Sequence, residues 1–308
     1  MYAIKKGDRI IAILFALFLC LYSSIVYAQT SFSLSKEGMH YYMYATVNGH
    51  ENTRLFVESG VPGLIISKAD FDRLFKDCQF EKIDSAPAEM KHQFGTRKIR
   101  KLLKGKIRIG DLSYKGSIWV VDKYEIEGTS TIALPVHRLG NEKDSTAYVI
   151  QLDFKNKSLD MVTESSIEKS EMKSYKMVGF IPMPIFESDL FISDDYGHYG
   201  NLSGRFLLDF GNPMPLYLFY KNPIVRKFLK EKEFKISHAG NKKVKLIEQG
   251  LYSIYVSKLK IGGKKINNIS VAITTTVALN NEELGFVGPS FFKDRIIIDN
   301  KNRLIYFD

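Results

Sequence analysis

The 308-residue chain has only two cysteines, Cys20 and Cys78. That excludes a disulfide scaffold. Its six histidines, His40, His50, His92, His137, His198 and His238, are scattered. None has the spacing of a zinc site, and nothing in the sequence implies a metal or an organic cofactor. There is no Gly-rich nucleotide loop, and Asp209-Phe210-Gly211 therefore does not mark a kinase metal site. After the first thirty residues no long apolar run remains, so no further membrane segment is expected.

The first thirty residues explain much of the rest. Lys5, Lys6 and Arg9 precede the apolar run Ile10–Leu21, and Ala28 stands before the polar Gln29. A basic head, an apolar stretch and a small residue make a secretory signal peptide, with cleavage expected after Ala28. The alternative is a retained anchor, since Ile10–Val26 approaches spanning length. Export places the protein in the periplasm, at the cell surface or outside the cell. The formal charge of +10 then concerns envelope surfaces or acidic ligands, and nucleic acid is not an expected partner. The exported chain keeps one cysteine, Cys78, which reads as an idle or buried thiol.

The remaining sequence repeats itself. Arg54-Leu-Phe-Val-Glu-Ser-Gly60 matches Arg205-Phe-Leu-Leu-Asp-Phe-Gly211. Lys106-Ile-Arg-Ile-Gly110 matches Lys258-Leu-Lys-Ile-Gly262. Val149-Ile-Gln-Leu-Asp153 matches Arg295-Ile-Ile-Ile-Asp299, and each is followed by a Lys-Asn turn and a second strand. The offsets are 151, 152 and 146 residues. Three matches in one order predict two similar β-rich lobes. The expected divisions are signal 1–28, first lobe 29–162, connection 163–175 and second lobe 176–308. Short helices are predicted at Lys68–Phe75 and Pro223–Glu231, the latter opened by its proline. Tyr41–Val47 reads as a strand entering an Asn48-Gly49 hairpin turn. Asp153 and Asp299 precede polar turns and read as turn-stabilising residues.

The first of those matches carries chemistry. Each lobe ends an apolar strand in an acid, one residue and a glycine. Two carboxylates meeting between lobes share a proton because both cannot ionise cheaply. One then activates water while the other serves as acid. In this arrangement the chain resembles the aspartic peptidases, both retroviral-type and pepsin-like. The resemblance spans about Tyr41 to Phe307. It implies a mostly β, two-lobed pepsin-like fold, a duplicated retropepsin-like acid-protease fold with a few short helices. One chain supplies both acids, so no dimer is needed to assemble them. The oligomeric state stays open.

By that resemblance the acids are Glu58 and Asp209, supported by Ser59, Gly60, Phe210, Gly211 and Gly288. Flap hairpins fall near Lys91–Leu102 and Ile236–Glu248. Three positions depart from the family. Glu58 stands for aspartate and adds a methylene, and a displacement of an ångström can cost about 100-fold in rate. Phe210 replaces a hydroxyl residue that helps lock the acid loops together. Thr131-Ile-Ala-Leu-Pro135 is read as placing Leu134 where the second lobe has Gly288. Two functions remain open: a non-catalytic homologue with a degenerate pair that binds an extended peptide or envelope protein, and an active endopeptidase using Glu58 and Asp209. The basic run Arg97–Arg108 alternates with Ile99, Leu102 and Ile107 and reads as a strand with one wet face. Together with Lys242–Lys245 it would favour acidic peptides if the cleft is used.

Overall fold

The Asn48-Gly49 pair turns the chain as its residue types demand. Asn48 has φ +48° and Gly49 φ +87°, and they join strands His40–Val47 and His50–Glu58 with Val47 opposite His50. Such left-handed pairs match the twist of the strands they connect. The computed structural model describes residues 30–85, 87–92, 95–140, 149–162, 172–179, 183–238, 250–275, 282–292 and 294–307. Ser31–Asp308 form one compact unit. The leader, residues 163–171 of the expected connection and most of the expected second flap lie outside the described residues.

The same wiring occurs twice. Strand His50–Glu58 runs parallel to Ile132–Pro135, with Val57 opposite Leu134 and Glu58 opposite Pro135. Strand Leu64–Ser67 lies antiparallel to Ile132–Pro135 and parallel to Leu112–Val121. In the second half, Tyr199–Leu208 runs parallel to Glu283–Val287, with Leu208 opposite Val287. Leu216–Phe219 lies antiparallel to Glu283–Val287 and parallel to Lys264–Thr274. This register corrects one sequence expectation. Leu134 corresponds to Val287, and Pro135 corresponds to Gly288. Leu134 therefore points into the core, fully buried, and crowds no acid turn.

Each short strand leads into a helix. Ser67 caps Lys68–Leu74 by accepting the Asp70 N–H, and Phe71, Leu74 and the following Phe75 are buried. Asn222 caps Pro223–Glu231 by accepting the N–H groups of Ile224 and Val225, and the helix buries Val225, Phe228 and Leu229. An oxygen side chain at this position satisfies donors that the first turn leaves unpaired.

Two hairpins close the halves against each other. Val149–Asp153 with Ser158–Val162 forms one, and Arg295–Asp299 with Leu304–Phe307 the other. Their inner strands pair antiparallel, Gln151 opposite Ile297. Lys173–Gly179 extends this seam along Leu304–Phe307, so Lys173–Tyr175 lie in a strand. Ile150, Leu152, Ile296 and Ile298 bury one face and join a core common to both halves. Asp153 accepts the Asn156 N–H at 2.8 Å, and Asp299 the Asn302 N–H at 3.0 Å. Both aspartates thus serve their turns.

Candidate active site

Leu55, Phe56 and Val57 anchor one acid strand, and Phe206, Leu207 and Leu208 anchor the other; all six are buried. Anchored this way, the strand ends bring Glu58 and Asp209 together. Gly211 N–H lies 3.2 Å from Glu58 Oε1 and 3.1 Å from Asp209 Oδ1, so the two acids share one backbone donor. The acids also hydrogen-bond to each other.

Ser59 ties the two turns. Its Oγ donates to Leu208 O at 2.8 Å and accepts Phe210 N–H at 2.9 Å. A symmetric arrangement would need a hydroxyl at 210 to accept the Ser59 N–H. Phenylalanine has none. Glu58 Oε1 takes that N–H instead, at 2.8 Å, along with Gly60 N–H at 2.7 Å. An aspartate carboxyl would sit one methylene further back. The two departures from the family pattern therefore meet at one hydrogen bond. The Phe210 ring turns away from the acids into the core, 6.2 Å from the Phe154 ring.

Gly60 and Gly211 do not have positive φ. Their reason is close approach. A Cβ on Gly60 would lie 2.6 Å from Asp209 Cγ, and one on Gly211 would lie 1.8 Å from Glu58 Oε2. Each turn leaves room for the acid of the other half. Gly288 likewise lets its backbone pass Asn212 O and Met214 O, both 2.3 Å from where a Cβ would sit.

Burial pushes Asp209 well above the usual carboxylate range, and the charge of Glu58 and the hydrogen bond to it push the same way. The N–H groups of Gly211 and Asn212 oppose the shift. Asp209 thus holds the proton of the pair and donates toward Glu58. Glu58 Oε1, surrounded by three N–H donors, is an acceptor. The arrangement offers a proton donor and a proton acceptor side by side, which is what water activation requires. Among the described residues no three metal-ligating side chains converge.

Two tyrosines were not evident as site residues in the sequence. Burial raises Tyr124, and the charge of Glu58 adds to that, so the phenol lies within the field of the pair. Burial also raises Tyr217, with Asp209 contributing. Tyr217 corresponds to Ile65 in the duplicated wiring, so the polar tip at an otherwise apolar position was the available signal. Nothing in the spacing singles out Tyr124. Both are bordered by apolar groups. Tyr124 packs with Tyr42, Phe56, Val61 and Ile99, while Tyr217 lies opposite Phe286 and Ala272 in its sheet.

No protein-family model and no curated protein matches the sequence. Among solved structures, the fold is similar to that of an aspartic proteinase from Irpex lacteus. The TM-score is 0.56 at 11% identity, covering 91% of this chain and 96% of that one. The chain thus has the two-lobed, mostly β fold of a pepsin-like aspartic proteinase.

Proposed function

We propose that this is an exported protein that binds extended peptides across the Glu58–Asp209 pair and hydrolyses them. The observation that supports this most is the shared Gly211 N–H, which holds the two acids in one hydrogen-bonded unit. Asp209 donates its proton to the peptide carbonyl oxygen. Glu58 removes a proton from water through Oε2, because Oε1 is occupied by backbone donors. The water oxygen bonds to the carbonyl carbon. The resulting gem-diol collapses by breaking the C–N bond: the proton on Glu58 passes to the departing amine, and one hydroxyl of the gem-diol returns a proton to Asp209, leaving a carboxylic acid. The export part of the reading rests on Lys5, Lys6, Arg9 and the apolar run that follows.

A second reading is favoured by the same Glu58 bonds. A carboxylate tied by three N–H groups, in a site without a hydroxyl at 210, suits a cleft that binds peptide and does not cut it. Incubation with a diverse peptide library from about pH 3 to 8, with products weighed by mass spectrometry, separates the two. Cleavage lost in both Asp209→Asn and Glu58→Gln supports hydrolysis by the pair. Peptide binding without products in the unmutated protein supports the second reading.

A further inference from the structure

The basic hairpin beside the acid turns treats its cations unequally. Strands Glu89–His92 and Gly95–Ile109 pair with Met90 opposite Arg97 and Glu89 opposite Lys98. Side chains alternate between faces. Thr96, Lys98 and Arg100 are exposed, whereas Arg97 is half-buried and Ile99 is buried. Ile99 and Met90 pack into the cluster that holds Tyr124 and Val61, and Val61 lies three residues beyond Glu58. Arg97 therefore stands on the hairpin face that looks toward the acid turns.

Two of the outer cations have partners: Arg100 pairs with Asp122, and Lys104 with Glu81. Lys98 stands in solvent, where an unpaired charge costs little. Among the described residues no acid pairs with Arg97. A half-buried guanidinium without a carboxylate is costly to hold and ready to receive one. Its positive charge also opposes the upward push of Glu58 and Asp209 on the Tyr124 phenol, placing all four groups in one electrostatic neighbourhood.

Resting on the peptide-binding reading above, we infer that Arg97 selects extended peptides carrying an acidic side chain at the residue that lies beneath this hairpin. The guanidinium supplies a planar, two-pronged donor set that matches a carboxylate. The amide of glutamine has the same shape and lacks the charge. The rival role for Arg97 is a counter-charge to the acid pair alone, which would give no such selection.

The test uses short fluorescent peptides with a single Glu, Gln or Lys walked through an otherwise neutral sequence. Binding is measured by anisotropy at about pH 6.5, where a peptide glutamate is ionised. The unmutated protein is compared with Arg97→Gln and Lys98→Gln, which remove the same charge from opposite faces. We expect Glu to bind about tenfold more tightly than Gln at one position of the walk. That ratio falls to about one in Arg97→Gln and persists in Lys98→Gln. Equal binding of Glu and Gln peptides to the unmutated protein overturns the selection while leaving peptide binding intact. Equal loss in both variants also overturns it, since a general positive field would then be responsible. If none of the peptides binds, the peptide-binding reading fails with it.

Discussion

Ser59 Oγ accepts the Phe210 N–H at 2.9 Å, yet Phe210 has no side-chain atom with which to accept the Ser59 N–H. The crossing between the two halves is one-sided, and Glu58 completes it. Glu58→Asp should therefore leave the Ser59 N–H without its acceptor, at a cost of about 1–3 kcal/mol. Phe210→Thr should cost a few kcal/mol through lost packing against Phe154. In the double variant the threonine hydroxyl can accept the Ser59 N–H. Its destabilisation should be smaller than the sum of the single effects by about 1 kcal/mol. Urea unfolding of the four proteins measures this coupling, and strict additivity would refute the compensation.

Gly211 offers a sterically sharper test. Gly211→Ala places a methyl group where Glu58 Oε2 stands. The acid must move or the turn must open, with an expected loss of about 1–3 kcal/mol. Any peptide cleavage by the protein should disappear. Gly197→Ala, at an exposed turn with no atom near the new Cβ, should leave cleavage in place. Its cost should come only from its positive φ of +87°. Thermal melts and product analysis of the two variants provide the comparison, and retained cleavage in Gly211→Ala would contradict the packing described.

Asp209 predicts a pH dependence of stability. Its folded pKa is raised, so its contribution is fully present below the unfolded carboxylate value. The contribution is lost as pH rises through the folded value, because the folded protein must then hold a second charge beside Glu58. Asp209→Asn cannot titrate. The melting temperature of the unmutated protein minus that of the variant should thus fall as pH rises above the usual carboxylate range. A difference that stays flat, or grows with pH, would contradict the protonated Asp209.

The sequence exposed features that are local or repeated. Asn48-Gly49 needs only its own two residues to specify a turn. Asn222-Pro223 opens a helix for reasons contained in its first turn. The acid motifs, 151 residues apart, were visible because duplication preserved both the strand and the glycine. The correspondence of Leu134 to Val287 was not visible, since a one-residue register is fixed by backbone bonds to a neighbouring strand. Nor was the compensation between Glu58 and Phe210, which lie far apart in the chain and meet through one N–H. Read singly, each looked like a loss. Tyr124 escaped because its place depends on how the chain leaves strand Leu112–Val121.

The seam between Gln151 and Ile297 makes the acid pair a property of both halves at once. Glu58 stands in the first fifth of the sequence, while the strands that hold its half against Asp209 include Arg295–Asp299 and Leu304–Phe307, far along the chain. Neither half holds the pair alone. Opening the seam parts a proton donor from its acceptor even where each half keeps its own strands, so the two carboxyl groups report on contacts made at the far side of the fold.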